Sequence, residues 1–385
     1  MTRPPSSAPA VRGWCPSAWR PMPSGDGLLT TLRPFAGRLE PAQVLALARL
    51  AEEFANGEVT LTRRGGIQLR GVSEANWTSL IEALVDDALA PAAPELESPR
   101  ILVSPFAEPG GDGWALGVTL RAALAAVSDL PPKFTIVVDI GPRRELASIP
   151  ADLRVERPES QGGVLVRLGP EPGGCSYSPE RAVQTVLEAI AWFREHRTAA
   201  RRSMAALMQY TRPPAALVGS SPPVGSTPPP SLGPHAAGTL LGAPFGVVSA
   251  TTLRKLTVDF GVRSMRVTPW RSLLLEGVRD VTHPDLLTDE SDPIVGVDAC
   301  PGAPGCAQAT VETRGLAHRL ARRLRPGGRG PSIHVAGCSK GCARSRPADV
   351  VCVGRAGSFD LVRGGSADGL PVQQGLSPEQ LLDGA

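Results

Sequence analysis

Positive charge is almost cancelled in this sequence. Forty Lys and Arg stand against 37 Asp and Glu, a formal excess of three over 385 residues. So small a surplus excludes a chain that binds nucleic acid over its whole surface. Long hydrophobic runs are missing too. No stretch of 18 or more apolar residues occurs, so no membrane span is expected. The opening MTRPPSSAPAVRGWCPSAWRPMPS lacks the apolar segment of a secretory signal, which points to a cytoplasmic chain with reduced thiols. No Gly-rich dinucleotide fingerprint follows a strand pattern, so no nicotinamide or flavin domain is expected within the chain. Seven cysteines are an odd number and a poor disulfide framework at this length; clustered cytosolic cysteines more often bind metal.

What is present is ordinary in bulk. Apolar residues make 42% and charged residues 20%, as in globular proteins, and the length allows two or three domains. The 42 Gly and 40 Pro are many, but below the level of general disorder.

The sequence repeats itself. FANGEVTLTRRGGIQLRGV (54–72) aligns without a gap on FGVRSMRVTPWRSLLLEGV (260–278), at an offset of 206. Each segment follows a helical pattern, PAQVLALARLAEEF (41–54) with apolar residues at 44, 47, 48 and 51, and TTLRKLTVDF (251–260). TIVVDIGPRRELASIPADLRV (135–155) matches residues 332–352 at an offset of 197, with Pro-Ala-Asp recurring at 150–152 and 347–349. Two ungapped matches in one order indicate two related halves. Further helices are predicted over 178–197 and 311–325. The Pro-, Gly- and Ser-rich stretch 212–238 between the halves has the composition of a semi-rigid linker.

The halves have diverged in a definite direction. Only the second carries Cys300 and Cys306 as C-x5-C and, after 31 residues, Cys338 and Cys342 as C-x3-C; where it has SKGC (339–342) the first has PRRE (142–145). Four thiolates suit the four corners of a [4Fe–4S] cube, and the surrounding Gly and Ala let backbone approach it closely. A zinc site and unligated structural cysteines are the other readings, although C-x5-C is wide for a zinc knuckle. Cys15, Cys175 and Cys352 stand apart and read as buried, inert thiols. The first half has its own asymmetry. On the strand pattern of TRRGGIQLRGV, Gln68 and Arg70 face away from Ile67 and Leu69, and Arg64 precedes them; the second copy has Trp270, Leu274 and Glu276 at these positions. This cationic face reads as a solvated sheet surface or as a cradle for a polycarboxylate, since guanidinium forks match carboxylates bidentately. Arg100 and Lys133 stand at strand entries later in the same half.

The cysteine spacing, the hairpin and the duplication together resemble the sulfite/nitrite reductase superfamily, from about residue 13 to 355. That resemblance implies an α+β, internally duplicated, pseudo-two-fold architecture. Its parts would be a first ferredoxin-like half domain (1–80), a first α/β domain (81–211), the linker (212–238), a second half domain (239–285) and a second α/β domain with the cluster (286–385). It makes Cys300, Cys306, Cys338 and Cys342 the ligands of a 4Fe-4S cluster. It turns Arg64, Gln68, Arg70, Arg100 and Lys133 toward a tetrapyrrole and its anionic ligand. The reductases carry a second lysine where this chain has Thr135. That departure and the short chain point to the precorrin-3B synthase branch, with WCPSAWRPMPSGDGLL and GCSKGCA carrying the likeness. For that branch the resemblance implies an O2-dependent monooxygenase that hydroxylates precorrin-3A at a meso carbon with γ-lactone formation in cobalamin biosynthesis. It also implies a mononuclear non-haem iron of unassigned ligands and an external electron donor such as a ferredoxin. A siroheme-dependent sulfite or nitrite reductase is the alternative. The five histidines form no visible facial triad; His334, in a strand pattern before the cluster loop, reads as a core or surface residue.

Overall fold

The computed structural model describes residues 14–97, 99–160, 162–324 and 330–384; residues 1–13 of the N-terminal segment and Arg325, at the end of the helical pattern 311–325, lie outside them. The first copy runs β1 (Met22–Pro23), β2 (Leu28–Leu32), β3 (Arg38–Leu39), α1 (Pro41–Phe54), β4 (Glu58–Leu61) and β5 (Ile67–Val72). Helix α2 (Trp77–Asp86) leads to β6 (Arg100–Val103), α3 (Asp112–Ala123), β7 (Thr135–Asp139), β8 (Leu153–Glu156), β9 (Val164–Leu168) and β10 (Cys175–Tyr177). Helices α4 (Pro179–His196) and α5 (Met204–Met208) close that half. The second copy repeats the order with β11 (Gly233–His235), β12 (Gly238–Gly242), β13 (Val247–Ser249), α6 (Ala250–Phe260), β14 (Ser264–Val267) and β15 (Ser272–Glu276). Then come β16 (Val297–Ala299), α7 (Arg314–Ala321), β17 (Ile333–Ala336), β18 (Ala348–Arg355), β19 (Ser358–Gly365), β20 (Gln373–Leu376) and α8 (Pro378–Asp383).

Helix α1 begins where its sequence says it should. Pro41 occupies the first turn, where no N–H partner is needed, and Glu40 and Gln43 close a reciprocal capping box. Its partner α6 is capped by Ser249 Oγ, which accepts from the Thr252 N–H at 3.0 Å, and ends at Gly261 in the left-handed region (φ +61). The two helices lie against each other. Their apolar stripes, with Leu47, Leu50, Leu253 and Leu256, merge with Leu61, Leu69, Leu273 and Leu275 from the strands into one core. The two copies therefore cannot bury their apolar faces independently.

The described residues form four five-stranded sheets. Two are ferredoxin-like and exchange an edge. The order β1-β2-β5-β4-β13 takes its last strand from the second copy, and β11-β12-β15-β14-β3 takes its last strand from the first. Matching turns make the crossing. Ala36 and Gly37 (φ 53 and 69) precede β3, and Phe245 and Gly246 (φ 56 and 78) precede β13. A Cβ on Gly37 would stand 2.2 Å from the Val267 carbonyl of the other copy, and one on Gly246 would stand 2.8 Å from that of Leu61. Only glycine fits either crossing.

The other two sheets, β10-β9-β8-β7-β6 and β16-β17-β18-β19-β20, are also copies. In each, the first three strands pair in parallel and the remaining two pairings are antiparallel, so only β9 and β19 run against the rest. Their cores are separate. One is built on Ile136, Val138, Val155 and Phe193, the other on Val297, Leu316, Leu320 and Val335. Within the segment 212–238, residues 217–227 are laid along the first of these domains, and Gly233–His235 form edge strand β11 of the second ferredoxin-like sheet. Gly174 and Ser221 exchange both backbone bonds at 3.0 Å, Arg144 N–H donates to the Gly225 carbonyl and Thr227 N–H to that of Arg144, and Leu217 is buried in the core. No helix among the described residues is long and apolar enough to cross a membrane.

Candidate metal centre and arginine cleft

Cys300 immediately follows β16, and Cys338 and Cys342 lie in the loop that leaves β17. Adjacent parallel strands thus deliver both cysteine pairs to one end of the sheet, and Cys338 and Cys342 each lie within electrostatic reach of Cys300 and Cys306. The Gly337 N–H donates to Cys300 Sγ at 3.1 Å, the type of bond that stabilises a ligating thiolate. Thr313 Oγ1 donates to the Cys300 carbonyl at 2.5 Å. Gly302, at φ +67, packs where a Cβ would stand 2.7 Å from Thr313 Oγ1. Burial, with neighbouring thiols, raises the Cys338 and Cys342 pKa values despite the opposing Lys340, so ligation would have to displace their protons. Among the described residues no three of His, Cys, Asp and Glu converge closely enough for one metal ion. Four sulfurs on the corners of a cube stand further apart than four on one ion. A surface-facing Cys342, small residues and an N–H on sulfur suit that larger group.

The duplication shows what changed to make this site. Val103 pairs with Val138 and Ala299 with Val335, so Ser104 and Cys300 are equivalent, and both N–H groups donate to the partner valine's carbonyl, at 3.0 and 3.4 Å. Glu145 is the counterpart of Cys342. In the first half Ser104 Oγ donates to Glu145 Oε2, closing with oxygen the place that carries sulfur in the second.

The Cys300–Cys306 loop rests on the first half. The turn Ser24–Gly27 is pressed against it so closely that a Cβ on Gly25 would stand 2.3 Å from the Pro304 carbonyl. Arg70, buried at 8% exposure, donates through Nη2 to Ser24 Oγ (2.5 Å), to Asp26 Oδ1 (3.4 Å) and to the Gly305 carbonyl. Nearby, Asp298 binds Arg63, Arg344 (3.0 Å) and Arg271 (3.4 Å), and Arg314 binds Glu58 at 2.9 Å, so ion pairs tie hairpin β4–β5 to the cluster domain. His334, opposite Asp298 in the parallel register, is 1% exposed and its Nε2 has no hydrogen-bond partner. Burial, helped by Arg344, Arg63 and Arg271 and opposed by Asp298, lowers its pKa to about 4, so it is a neutral core histidine.

A second cluster of arginines gathers at the start of β6. Burial lowers the Arg100 pKa to about 9, with Arg33 and Arg64 adding to the effect. Burial also lowers that of Arg33, against the pull of Glu97 and Cys15. The Nε atoms of Arg33 and Arg100 are buried without a partner. Arg64 Nη1 donates to the Lys133 carbonyl at 3.1 Å, and the Lys133 side chain is exposed. Guanidiniums within electrostatic reach of one another repel and favour an anion among them. Thr135 offers no cation here. Its N–H donates to Asp152 Oδ2 at 2.8 Å and its hydroxyl to the Lys133 carbonyl at 2.9 Å.

Of the five residues expected to face a tetrapyrrole, Arg64, Arg100 and Lys133 are thus neighbours. Gln68 donates to Thr31 Oγ1 at 3.2 Å on the same sheet, and Arg70 is turned to the cluster loop. Arg33 joins the group although it had no motif, because it lies just past the end of β2; its approach to Arg100 is made by the fold. Cys352 is buried at 1% with its pKa pushed up by burial to about 12, as an inert thiol should be. Cys15 and Cys175 are half-buried instead, Cys15 within electrostatic reach of Arg33 and Arg100. A groove of about 820 Å³ between α3 and the start of α4, and a pocket of about 320 Å³ at Phe106, Glu145 and His235, are lined by none of the cysteines or clustered arginines.

Comparison with known proteins follows this geometry. The nitrite/sulfite reductase ferredoxin-like half domain matches residues 20–86. A precorrin-3B synthase from a Sinorhizobium species is 32% identical over 404 aligned positions, covering 94% of this chain and 84% of that protein. The solved structure of the Mycobacterium tuberculosis NirA protein superposes with a TM-score of 0.61 at 19% identity, over 92% of this chain and 79% of that one, a likeness of fold.

Proposed function

The chain belongs to the precorrin-3B synthase family, oxidoreductases on the nitrite/sulfite reductase fold, and on that premise we propose that it is an O2-dependent monooxygenase of a carboxylate-fringed tetrapyrrole. The substrate would be precorrin-3A, hydroxylated at a meso carbon with a ring acetate closing to a γ-lactone. The observation that supports this most is the pairing of two features across the duplication, Cys338 and Cys342 within electrostatic reach of Cys300 and Cys306 in the second half and a half-buried cluster of arginines in the first. Cys300, Cys306, Cys338 and Cys342 would hold a [4Fe–4S] cluster, which when bound supplies single electrons received from an external donor such as a ferredoxin.

The remaining work falls to side chains of the first half. Arg64, Arg100 and Lys133 bind and orient the substrate carboxylates, with Arg33 beside them, and Gln68 presents its amide from β5. Binding there relieves the repulsion among the guanidiniums, so the site gains most from a ligand of several negative charges. The neutral, inward-turned Thr135 favours this reading over sulfite or nitrite reduction, where a second cation would be needed beside a small oxyanion. For the mononuclear iron implied by the family no set of three ligands converges among the described residues, and no step is assigned to it.

The test is chemical. Protein purified without air should contain iron and acid-labile sulfide and lack the strong red absorption of siroheme. Cys338→Ser should lose the sulfide and the turnover of precorrin-3A together. Zinc in place of sulfide, or full turnover by Cys338→Ser, would overturn the proposal.

A further inference from the structure

We propose that Arg70 is a positioning residue for the cluster, gripping the Cys300–Cys306 loop from the other half of the molecule. The inference rests on the cluster reading above and assigns Arg70 a task different from facing the tetrapyrrole. The peptide that joins Gly305 to Cys306 is held at both ends. Its carbonyl accepts from Arg70 Nη2 and from Ser24 Oγ, the latter at 2.8 Å, and its N–H donates to the Gly302 carbonyl at 2.7 Å. With both polar groups fixed, the backbone that carries Cys306 has one orientation.

The grip itself is braced. Ser24 Oγ lies 2.5 Å from Arg70 Nη2, and Asp26 Oδ2 lies 3.4 Å from Arg70 Nε. The turn is closed by the Ser24 N–H to the Gly27 carbonyl at 2.7 Å. Gly25 makes the approach possible, since a Cβ there would stand 2.7 Å from Ala307 N and 2.8 Å from the Cys306 carbonyl carbon. The guanidinium, at 8% exposure, also neutralises the Asp26 carboxylate that lies beside Gly305, so that no uncompensated negative charge stands one residue from a cluster ligand, which favours the reduced cluster. Arg70 therefore links cluster retention and potential to the docking of the two halves. In the second copy Glu276 stands at the equivalent position and binds Arg38 and Arg266 instead.

The experiment uses the full chain, purified without air and reconstituted with ferrous iron and sulfide, as wild type, Arg70→Ala, Arg70→Lys and Ser24→Ala. Circular dichroism and melting verify folding. The readouts are sulfide content, the rate of iron loss to a chelator, and the cluster midpoint potential. Arg70→Ala should lose iron roughly tenfold faster, the scale of one charge-assisted hydrogen bond, and shift to a more negative potential. Arg70→Lys should recover part of both, and Ser24→Ala should lose iron about threefold faster, the scale of one neutral bond. A folded Arg70→Ala with wild-type retention and potential, and only weakened tetrapyrrole binding, would overturn the inference and return Arg70 to the substrate cleft. Should Arg70→Ala fail to fold, Ser24→Ala decides, and wild-type retention in it overturns the grip. Wild-type protein that takes up no cluster would sink the cluster reading and this one with it; a cluster-bearing wild type with unaffected variants would sink this one alone.

Discussion

Removing the charge of Arg100 should stabilise the ligand-free protein while weakening its hold on a polyanion. Burial, with Arg33 and Arg64 beside it, lowers this guanidinium from 12.5 to about 9. A basic group whose folded pKa is depressed binds its proton more tightly in the unfolded chain. It therefore destabilises the fold at neutral pH, and the loss is recovered as pH climbs from about 9 toward 12.5. Taken whole, that displacement is worth about 5 kcal/mol. The side chain is only partly enclosed, so solvent screening brings the usable figure to about 2 kcal/mol. Arg100→Met keeps the apolar stem and should raise the melting temperature at pH 7 by a few degrees. The advantage should shrink above pH 9, where wild-type Arg100 begins to shed its proton. Citrate, a small tricarboxylate, should raise the melting temperature of wild type and protect the variant less. The assay is thermal unfolding of both proteins at neutral and alkaline pH, with and without citrate. A variant that melts lower than wild type at pH 7, or equal protection of both by citrate, would refute the reasoning.

Two further outcomes follow from buried carboxylates. Asp139 is fully buried, its Oδ1 has no partner, and burial raises its pKa to about 7 despite the Leu146 N–H bond. The folded state then holds a proton that the unfolded state releases near 3.8, so stability falls as pH rises from about 4 to 7. Asp139→Asn should be about 1–2 kcal/mol more stable than wild type at pH 8 and indistinguishable at pH 4, as urea unfolding at the two pH values would show. Glu276 behaves oppositely. Burial would raise it, but Ser264, Arg266 and Arg38 together lower it, so its contribution is present above the ordinary carboxylate range and lost as pH falls through its folded pKa. Glu276→Gln should cost about 3 kcal/mol in the same assay at pH 7, because it leaves Arg266, at 1% exposure, as an uncompensated buried charge.

Sequence pattern carried some of this structure and not the rest, for identifiable reasons. Helix α1 was legible to the residue because its apolar spacing and the proline at its first turn agree. The cysteines were legible as two pairs because spacing within each pair is a local property; that the pairs reach one end of the sheet is the work of parallel β16 and β17. The exchange of β3 and β13 was not, since strands of two and three residues carry no periodicity. Alternation placed Gln68 and Arg70 on the same face of β5, but it cannot say which neighbour a long guanidinium will find. That was decided by Ser24, Asp26 and Gly305, which lie 46, 44 and 235 residues away along the chain. The stretch 212–238 has a linker's composition, yet its extended backbone finds donors and acceptors along Arg144, Arg157 and Gly174. Proline and glycine content reports the absence of regular structure and is silent about docking.

The duplication also explains why neither half would suffice. Ser104 and Glu145 occupy the backbone positions of Cys300 and Cys342 and close on each other by a hydrogen bond, so the first α/β domain keeps the scaffold of the cysteine site with a different chemistry at its tip. The second half keeps the thiols and places Trp270 and Leu274 where the first has Arg64 and Gln68. Because β3 and β13 are traded between the sheets and α1 packs on α6, pulling the copies apart would open the shared core before it freed either site. A thiol set and an arginine cluster on opposite copies are thereby held in one fixed relation without a separate interface to stabilise. That arrangement lets each copy lose what the other retains, and it makes the residues that cross between them, Arg70 with Gly305 and Arg63 with Asp298, the places where a single substitution should be felt on both sides.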